Sequence, residues 1–240
     1  LTDATATTAP LVRAIASVAL TVDGWAWPFA EARRDDILAH FAALRARNPA
    51  LFNGRVLMLR QPAHGGGHFT ARCFETDYAS LLAWRDWGWP DRDVYNVFGM
   101  GALRGSDGVY VLGEMGRHTA NAGRIYFAAG TPDLSDLRGN DVDIAGSIVR
   151  EMTEETGLAE TIDFHPRPQW HSVQDGQLIG LMQRVDGVAP GAELQQRIQR
   201  NLAAQAEPEL AAIHLVRGAG DFTAAMPDYI RSYIAAMTAD

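Results

Sequence analysis

Apolar residues along this chain fall mostly in short alternating or continuous blocks, and in a few places they recur every three or four residues instead. The blocks SVALTV, GRVLMLR and HFTARCFE predict strands in the first third. Ile37, Phe41 and Leu44 predict a helix over 31–47, stopped by Asn48-Pro49. TDYASLLAWRDWG combines a polar start with helical spacing, HGGGH reads as a loop, and the polar opening TDATATTAP reads as a frayed end.

A second unit begins near Asp93, with strands VYNVFGMGAL and GVYVLGEM joined across RGSDG, then the strand RIYFAAG and the loop TPDLSDLRGND. The best-marked helix covers 144–156, with Asp143 as N-cap and Gly157 at the left-handed position past its end. PQWHSVQ and QLIGLMQR flank Asp175-Gly176, a two-residue hairpin signal. A helix over 192–206, the strand AAIHLVR and a helix over 228–237 close the chain. Strands and helices mix without strict alternation or internal repeat, so the expected class is α/β or α+β with a mixed sheet. The expected division is an extension over 1–92 packed on a core domain over 93–240.

Composition narrows the chemistry. At 240 residues and 47% hydrophobic content the chain can bury a substantial core. Its 21 basic residues face 29 acidic ones, a net charge of −8 with no basic run, which argues against nucleic acid and anionic membranes as partners. Every basic residue is arginine, so Schiff-base chemistry and a phosphate-loop lysine are excluded. Cys73 is the sole cysteine, which excludes an internal disulfide and a cysteine-rich metal site and suits a reducing cytoplasm. LVRAIASVAL is broken by Arg13 and falls far short of the roughly 20 residues of a membrane span, and neither signal peptide nor anchor is read. The chain opens on Leu1, so processing or truncation stays open.

One run stands against its own helix. REMTEETGL at 150–158 puts Glu151, Glu154 and Glu155 into the last turns, where the helix dipole disfavours each negative charge by roughly 0.3 to 1 kcal/mol. At 100° per residue, Ile144, Ile148, Val149 and Met152 form a buried stripe and the three carboxylates share a neighbouring arc. Hard oxygen ligands grouped in this way suit Mg²⁺ or Mn²⁺, and a cation would supply the missing compensation. A solvated acidic helix end is the competing explanation.

The run resembles the second half of the signature of Nudix hydrolases, at Arg150, Glu151, Met152, Glu154, Glu155, Gly157 and Leu158. That resemblance implies an α/β/α sandwich and Mg²⁺-assisted hydrolysis of a small molecule, a nucleoside diphosphate linked to another group X. It implies that Glu151, Glu154 and Glu155 are catalytic metal ligands, that Arg150 orients one of those carboxylates, and that Gly157 turns the chain out of the helix. The first half departs from the family pattern. A glycine is expected fourteen residues before the arginine and a glutamate eight before it, where this chain has Asp136 and Val142. Gly130 and Asp143 look like displaced substitutes. A later segment often adds a carboxylate in this family, and Glu207 and Glu209 precede a strand in QAEPELAAIHL. A Nudix-fold module that binds a nucleotide without cleaving it is the alternative.

Other constellations are weaker. HGGGH resembles a lipase oxyanion loop, but an esterase would need a G-x-S-x-G elbow and the chain has none. Arg117 and Arg124 precede the motif where a guanidinium could grip a diphosphate, a surface role being the other reading. WRDWGWP places three tryptophans in seven residues. They would stack on a nucleobase, pack the extension on the core, or form a dimer contact, so a homodimer stays open.

Overall fold

The structure, a computed structural model, describes residues 9–239, so the polar opening read as frayed lies outside the described residues except for Ala9 and Pro10. Strands β1 (Leu11–Ile15) and β2 (Ser17–Val22) take the first apolar alternation. The single helix expected over 31–47 is two, α1 (Pro28–Ala32) and α2 (Arg34–Arg47). Pro28 suits a first turn because its missing N–H is not needed there, and the chain leaves helical geometry at Arg33, with φ −113.

Strands β3 (Arg55–Gly65) and β4 (His68–Asp77) form a hairpin through Gly66-Gly67, at φ 58 and 82, so HGGGH is a hairpin tip. Helix α3 (Tyr78–Asp86) starts where the Asp77 carboxylate accepts the Ser80 N–H.

Strand β5 (Val94–Arg104) is shared by neighbours from both halves of the chain. It meets β3 at its first residues, and β6 (Tyr110–Met115) at its end. The expected strand RIYFAAG splits into β7 (Ile125–Tyr126) on β6 and β8 (Ala129–Gly130) on β5. The loop after it holds a 3-10 turn at Leu134–Asp136 and a small ladder of β9 (Leu137–Arg138) and β10 (Asp141–Val142). Helix α4 (Ile144–Thr156) has the expected bounds, with the Asp143 side chain accepting the Gly146 N–H and Gly157 at φ 71.

Strands β11 (Phe164–Asp175) and β12 (Leu178–Gly187) pair as expected, but the turn is Gly176-Gln177, one residue later than the Asp175-Gly176 reading. Helix α5 (Gly191–Ala204), strand β13 (Leu210–Val216) and helix α6 (Asp228–Thr238) follow.

The architecture is mixed α/β. Strand order is β1-β11-β12-β5-β3-β4-β2-β10-β9, with β6, β7, β8 and β13 branching from it. The pairs β5–β12 and β2–β4 are parallel and the other pairings antiparallel. Hydrogen bonds cross the position near Asp93 repeatedly: β1 pairs with β11, Leu57 N–H donates to the Pro132 carbonyl, and Val22 N–H to Asn140. No helix among the described residues is long and apolar enough to cross a membrane.

The contact that places the glutamate helix is between α4 and β5. A Cβ on Gly99 would stand 2.8 Å from Ile148 and 2.9 Å from Ile144, and one on Gly101 would stand 2.8 Å from Met152 Cγ. Two residues apart on one strand face, these glycines let the apolar stripe of α4 sit directly on the backbone. Gly101→Val should therefore cost about 1–3 kcal/mol by overpacking. Gly24→Ala, at a site with nothing within 4 Å, should stay within about 0.5 kcal/mol of the wild type, both read from urea midpoints.

Candidate metal and nucleotide site

Seating Met152 and Ile148 on β5 fixes where the carboxylates go, because Glu151 and Glu155 lie together along one side of that stripe. Glu155 is 4% exposed, under strand β8. Its Oε1 accepts the Ala129 N–H at 3.3 Å, and its Oε2 is buried without a hydrogen-bond partner among the described residues. Burial, with the neighbouring Glu209 charge second, pushes the Glu155 carboxyl up to about 9. Glu151 is raised as well, chiefly by burial, with Glu154 and Glu209 adding to it and Arg150 opposing it.

Gly130 has a specific role here. A Cβ at that position would overlap Glu151 Oε1 and stand 2.7 Å from its Cγ, so any larger residue here would displace the Glu151 side chain. At the other end of α4, a Cβ on Gly157 would overlap Asn201, and its positive φ independently favours glycine.

Arg150 organises the outer side of the cluster. One guanidinium nitrogen lies 2.8 Å from Glu151 Oε1 and 3.4 Å from Glu154 Oε2, and the other lies 3.2 Å from Asp136 Oδ1. The three glutamates are therefore not equivalent. Glu154 has 61% of its side chain exposed and turns to Arg150, while Glu155 faces inward.

Asp136, which stands where the resembled signature has a glycine, belongs to the cluster although the sequence alone assigns it no role there. It is 3% exposed, accepts from Arg150, Ser147 Oγ and the Asp133 N–H, and is the third residue after the turn cap Asp133. The Asp-x-x-Asp spacing of a capping box was its visible signal. Val142, at the family's glutamate position, is simply buried in the apolar core.

The remaining expected residues separate. Glu209, exposed just before β13, adds its charge to both the buried Glu155 carboxyl and the partly buried Glu151 carboxyl. Glu207 is exposed on the same loop and makes no ion pair among the described residues. Arg124 lines a cleft of about 830 Å³ that Gly130 and Ala129 also border, which puts this guanidinium in the same hollow as the approach to the glutamates. Arg117 does not line that cleft; it borders a separate groove with His118 and Pro208. Asp143 serves as helix cap and as a partner of Arg138 at 3.8 Å.

No three His, Cys, Asp or Glu side chains among the described residues already stand arranged to hold a metal ion. The donor chemistry nonetheless fits a hard divalent cation. The orphaned Glu155 oxygen is a hard donor whose burial is uncompensated, and Glu151 and Glu209 crowd it with like charge.

No protein-family model matches the chain, and no curated protein matches it. Solved structures similar to it include the MutT protein from Methanosarcina mazei Go1, at 16% identity over 58% of this chain and 90% of that one, with a TM-score of 0.37. A Nudix hydrolase from M. smegmatis, RenU, is 13% identical over 50% of this chain and 68% of its own, with a TM-score of 0.31. The Bacillus subtilis pyrophosphohydrolase BsRppH is 15% identical over 54% and 67%, with a TM-score of 0.30. Likenesses this distant carry no chemistry across, which leaves the side chains to define the site.

The Glu155 shift makes stability depend on pH in a definite sense. Unfolded, the carboxyl ionises near 4.5; folded and metal-free, it keeps its proton to about 9. The native state then holds the extra proton, so stability is full below pH 4.5 and is lost as pH rises towards 9. In EDTA, urea midpoints should fall from pH 5 to pH 9, and Glu155→Gln should flatten that decline. An equal slope in both proteins would show that Glu155 is ionised in the fold.

Proposed function

We propose that the chain is a hydrolase that cleaves the diphosphate of a nucleoside diphosphate linked to a second group X, with Mg²⁺ or Mn²⁺ held by Glu151, Glu154 and Glu155. The observation that carries this reading is Glu155: a buried carboxyl crowded by acids, with one oxygen unpartnered among the described residues and the other on the N–H of Ala129, which borders an open cleft. Its support in the sequence is the resemblance of REMTEETGL to the Nudix signature. When bound, the cation neutralises charge on the phosphoryl oxygens and lowers the pKa of a water.

The chain's own residues do the rest. Arg150, tied down by buried Asp136, fixes the Glu151 carboxylate, and Glu154, exposed and 3.4 Å from Arg150, would be free to hold the cation with Glu151 and Glu155. Arg124 grips a phosphate in the cleft through its forked donors. Glu151 or Glu209 takes the proton of the attacking water, whose oxygen bonds to one phosphorus as the bridging P–O bond breaks. The products are a nucleotide and the phosphate of X. Arg117, in its separate groove, has no part in this reading, and Glu207 has none either.

We further propose that residues 1–92 work as an extension packed on this enzyme, because β1 completes the edge beside β11 and β3 flanks the start of β5. A chain begun at Asp93 should aggregate or melt well below the full protein; a soluble, fully active fragment would show two independent units.

Activity is tested with nucleotide sugars, dinucleoside polyphosphates, ADP-ribose, NAD(H) and coenzyme A, each with Mg²⁺ and Mn²⁺. At least one should turn over. Glu155→Gln should lower that rate at least about a hundredfold, a barrier increase of roughly 2.7 kcal/mol, while exposed Glu160→Gln leaves it nearly unchanged. No turnover anywhere in the panel would favour a binding module, and an active Glu155→Gln protein would remove Glu155 from the ligand set.

A further inference from the structure

The three tryptophans of WRDWGWP have separate fates. Trp84 is fully buried and donates its indole N–H to the Asp91 carbonyl at 2.9 Å. Trp87 lies under the Arg33 guanidinium, 4.8 Å from its ring centre, and edge-on to Phe29. Trp89 is half-buried and borders the cleft that contains Arg124 and Gly130.

Its backbone is the unusual part. Helix α3 ends with Gly88 at φ 78, the Gly88 N–H on the Arg85 carbonyl and the Trp89 N–H on the Trp84 carbonyl at 2.9 Å. Those are the two hydrogen bonds of a Schellman termination, which needs a left-handed residue only at the glycine. Trp89 is left-handed as well, at φ 60. That conformation is an outlier for a bulky residue, and Pro90 restricts it further. Helix capping does not demand it. The Trp84 ring braces the strained residue at 82° and 4.4 Å between centroids.

Around Trp89 the cleft offers a mixture. Tyr78 and Leu81 extend its apolar wall, while Arg124, Asn121 and Asn96 supply polar groups, with the Asn96 Oδ1 buried and unpartnered among the described residues. A flat ring with polar edges matches that combination better than an aliphatic chain or a simple anion does. We propose that Trp89 is the stacking platform on which the chain holds the base of its nucleotide, so that the extension supplies the base subsite of a cleft whose diphosphate end lies by the glutamates. This rests on the nucleotide reading above and adds which residue holds the base. A π-face accepts any base and acts on affinity.

The test is an equilibrium titration without metal or turnover. Calorimetry with AMP, GMP, CMP and UMP is compared with ribose 5-phosphate, which has the phosphate and sugar but no base. At least one nucleotide should bind the wild type ten times more tightly than ribose 5-phosphate. Trp89→Ala should abolish that advantage and leave ribose 5-phosphate binding unchanged, and Trp89→Phe should keep most of it. If Trp89→Ala does not fold, Trp89→Leu, apolar but without a π-face, takes its place. The proposal is overturned if no nucleotide outbinds ribose 5-phosphate, or if the variant without an aromatic ring binds the nucleotide as the wild type does. Because nothing is hydrolysed in this experiment, a chain that binds nucleotides through Trp89 yet never cleaves one would sink the hydrolase reading alone.

Discussion

A carboxylate with one oxygen on a backbone N–H and the other on nothing is costly to bury, and the packing around Glu155 makes that burial unavoidable. Met152 and Ile148 must sit on β5 to complete the core, and Gly99 and Gly101 let them sit close. Once they do, helical geometry carries the residue three positions after Met152 beneath β8, and that residue is Glu155. A stability-optimised chain would put an apolar side chain there. An acid placed there against burial and the helix dipole is what supports the proposed hydrolytic reading of the site.

Arg150 shows how the remaining charge is managed. A single guanidinium spans Asp136, Glu151 and Glu154 from two nitrogens, which a lysine ammonium could not do with fixed geometry. Asp136 is the fixed end of this bridge because it is buried and also held by Ser147 and the Asp133 N–H. Glu154 is the loose end, exposed and at longer range, so it can change partner at low cost. The cluster thus has a rigid part that positions Glu151 and a labile part that can respond to a ligand.

Local signals were legible in the sequence where they are strong and complete within a few residues. The cap at Asp143, the glycine at Gly157 and the stripe between them fixed α4 to the residue. Gly176 announced the β11–β12 hairpin, but the two-residue turn slid by one because both Asp175-Gly176 and Gly176-Gln177 satisfy the same composition. Arg117 and Arg124 looked alike because each flanks the same segment, and only the folded loop sends them to different surfaces. The link from Asp136 to Arg150 has no local signal, because the two are fourteen residues apart and meet only through a 3-10 turn and a short ladder that no periodicity reveals. The pairing of β1 with β11 had no local signal at all.

That last pairing also governs the order in which the molecule can be completed. Leu11 finds its ladder partner at Gln174, and Ile15 at Trp170, so β1 has nothing to add to until some 160 residues more have been made. At a synthesis rate of roughly 5 to 20 residues per second, that is a wait on the order of 10 to 30 s. During it, β1, β2 and the β3–β4 hairpin are exposed to whatever other strands are near, and long-range pairing of this kind is intrinsically slow to form. Arg13, at the middle of β1, places a charge on that waiting edge, where strand-to-strand association between nascent chains would otherwise begin.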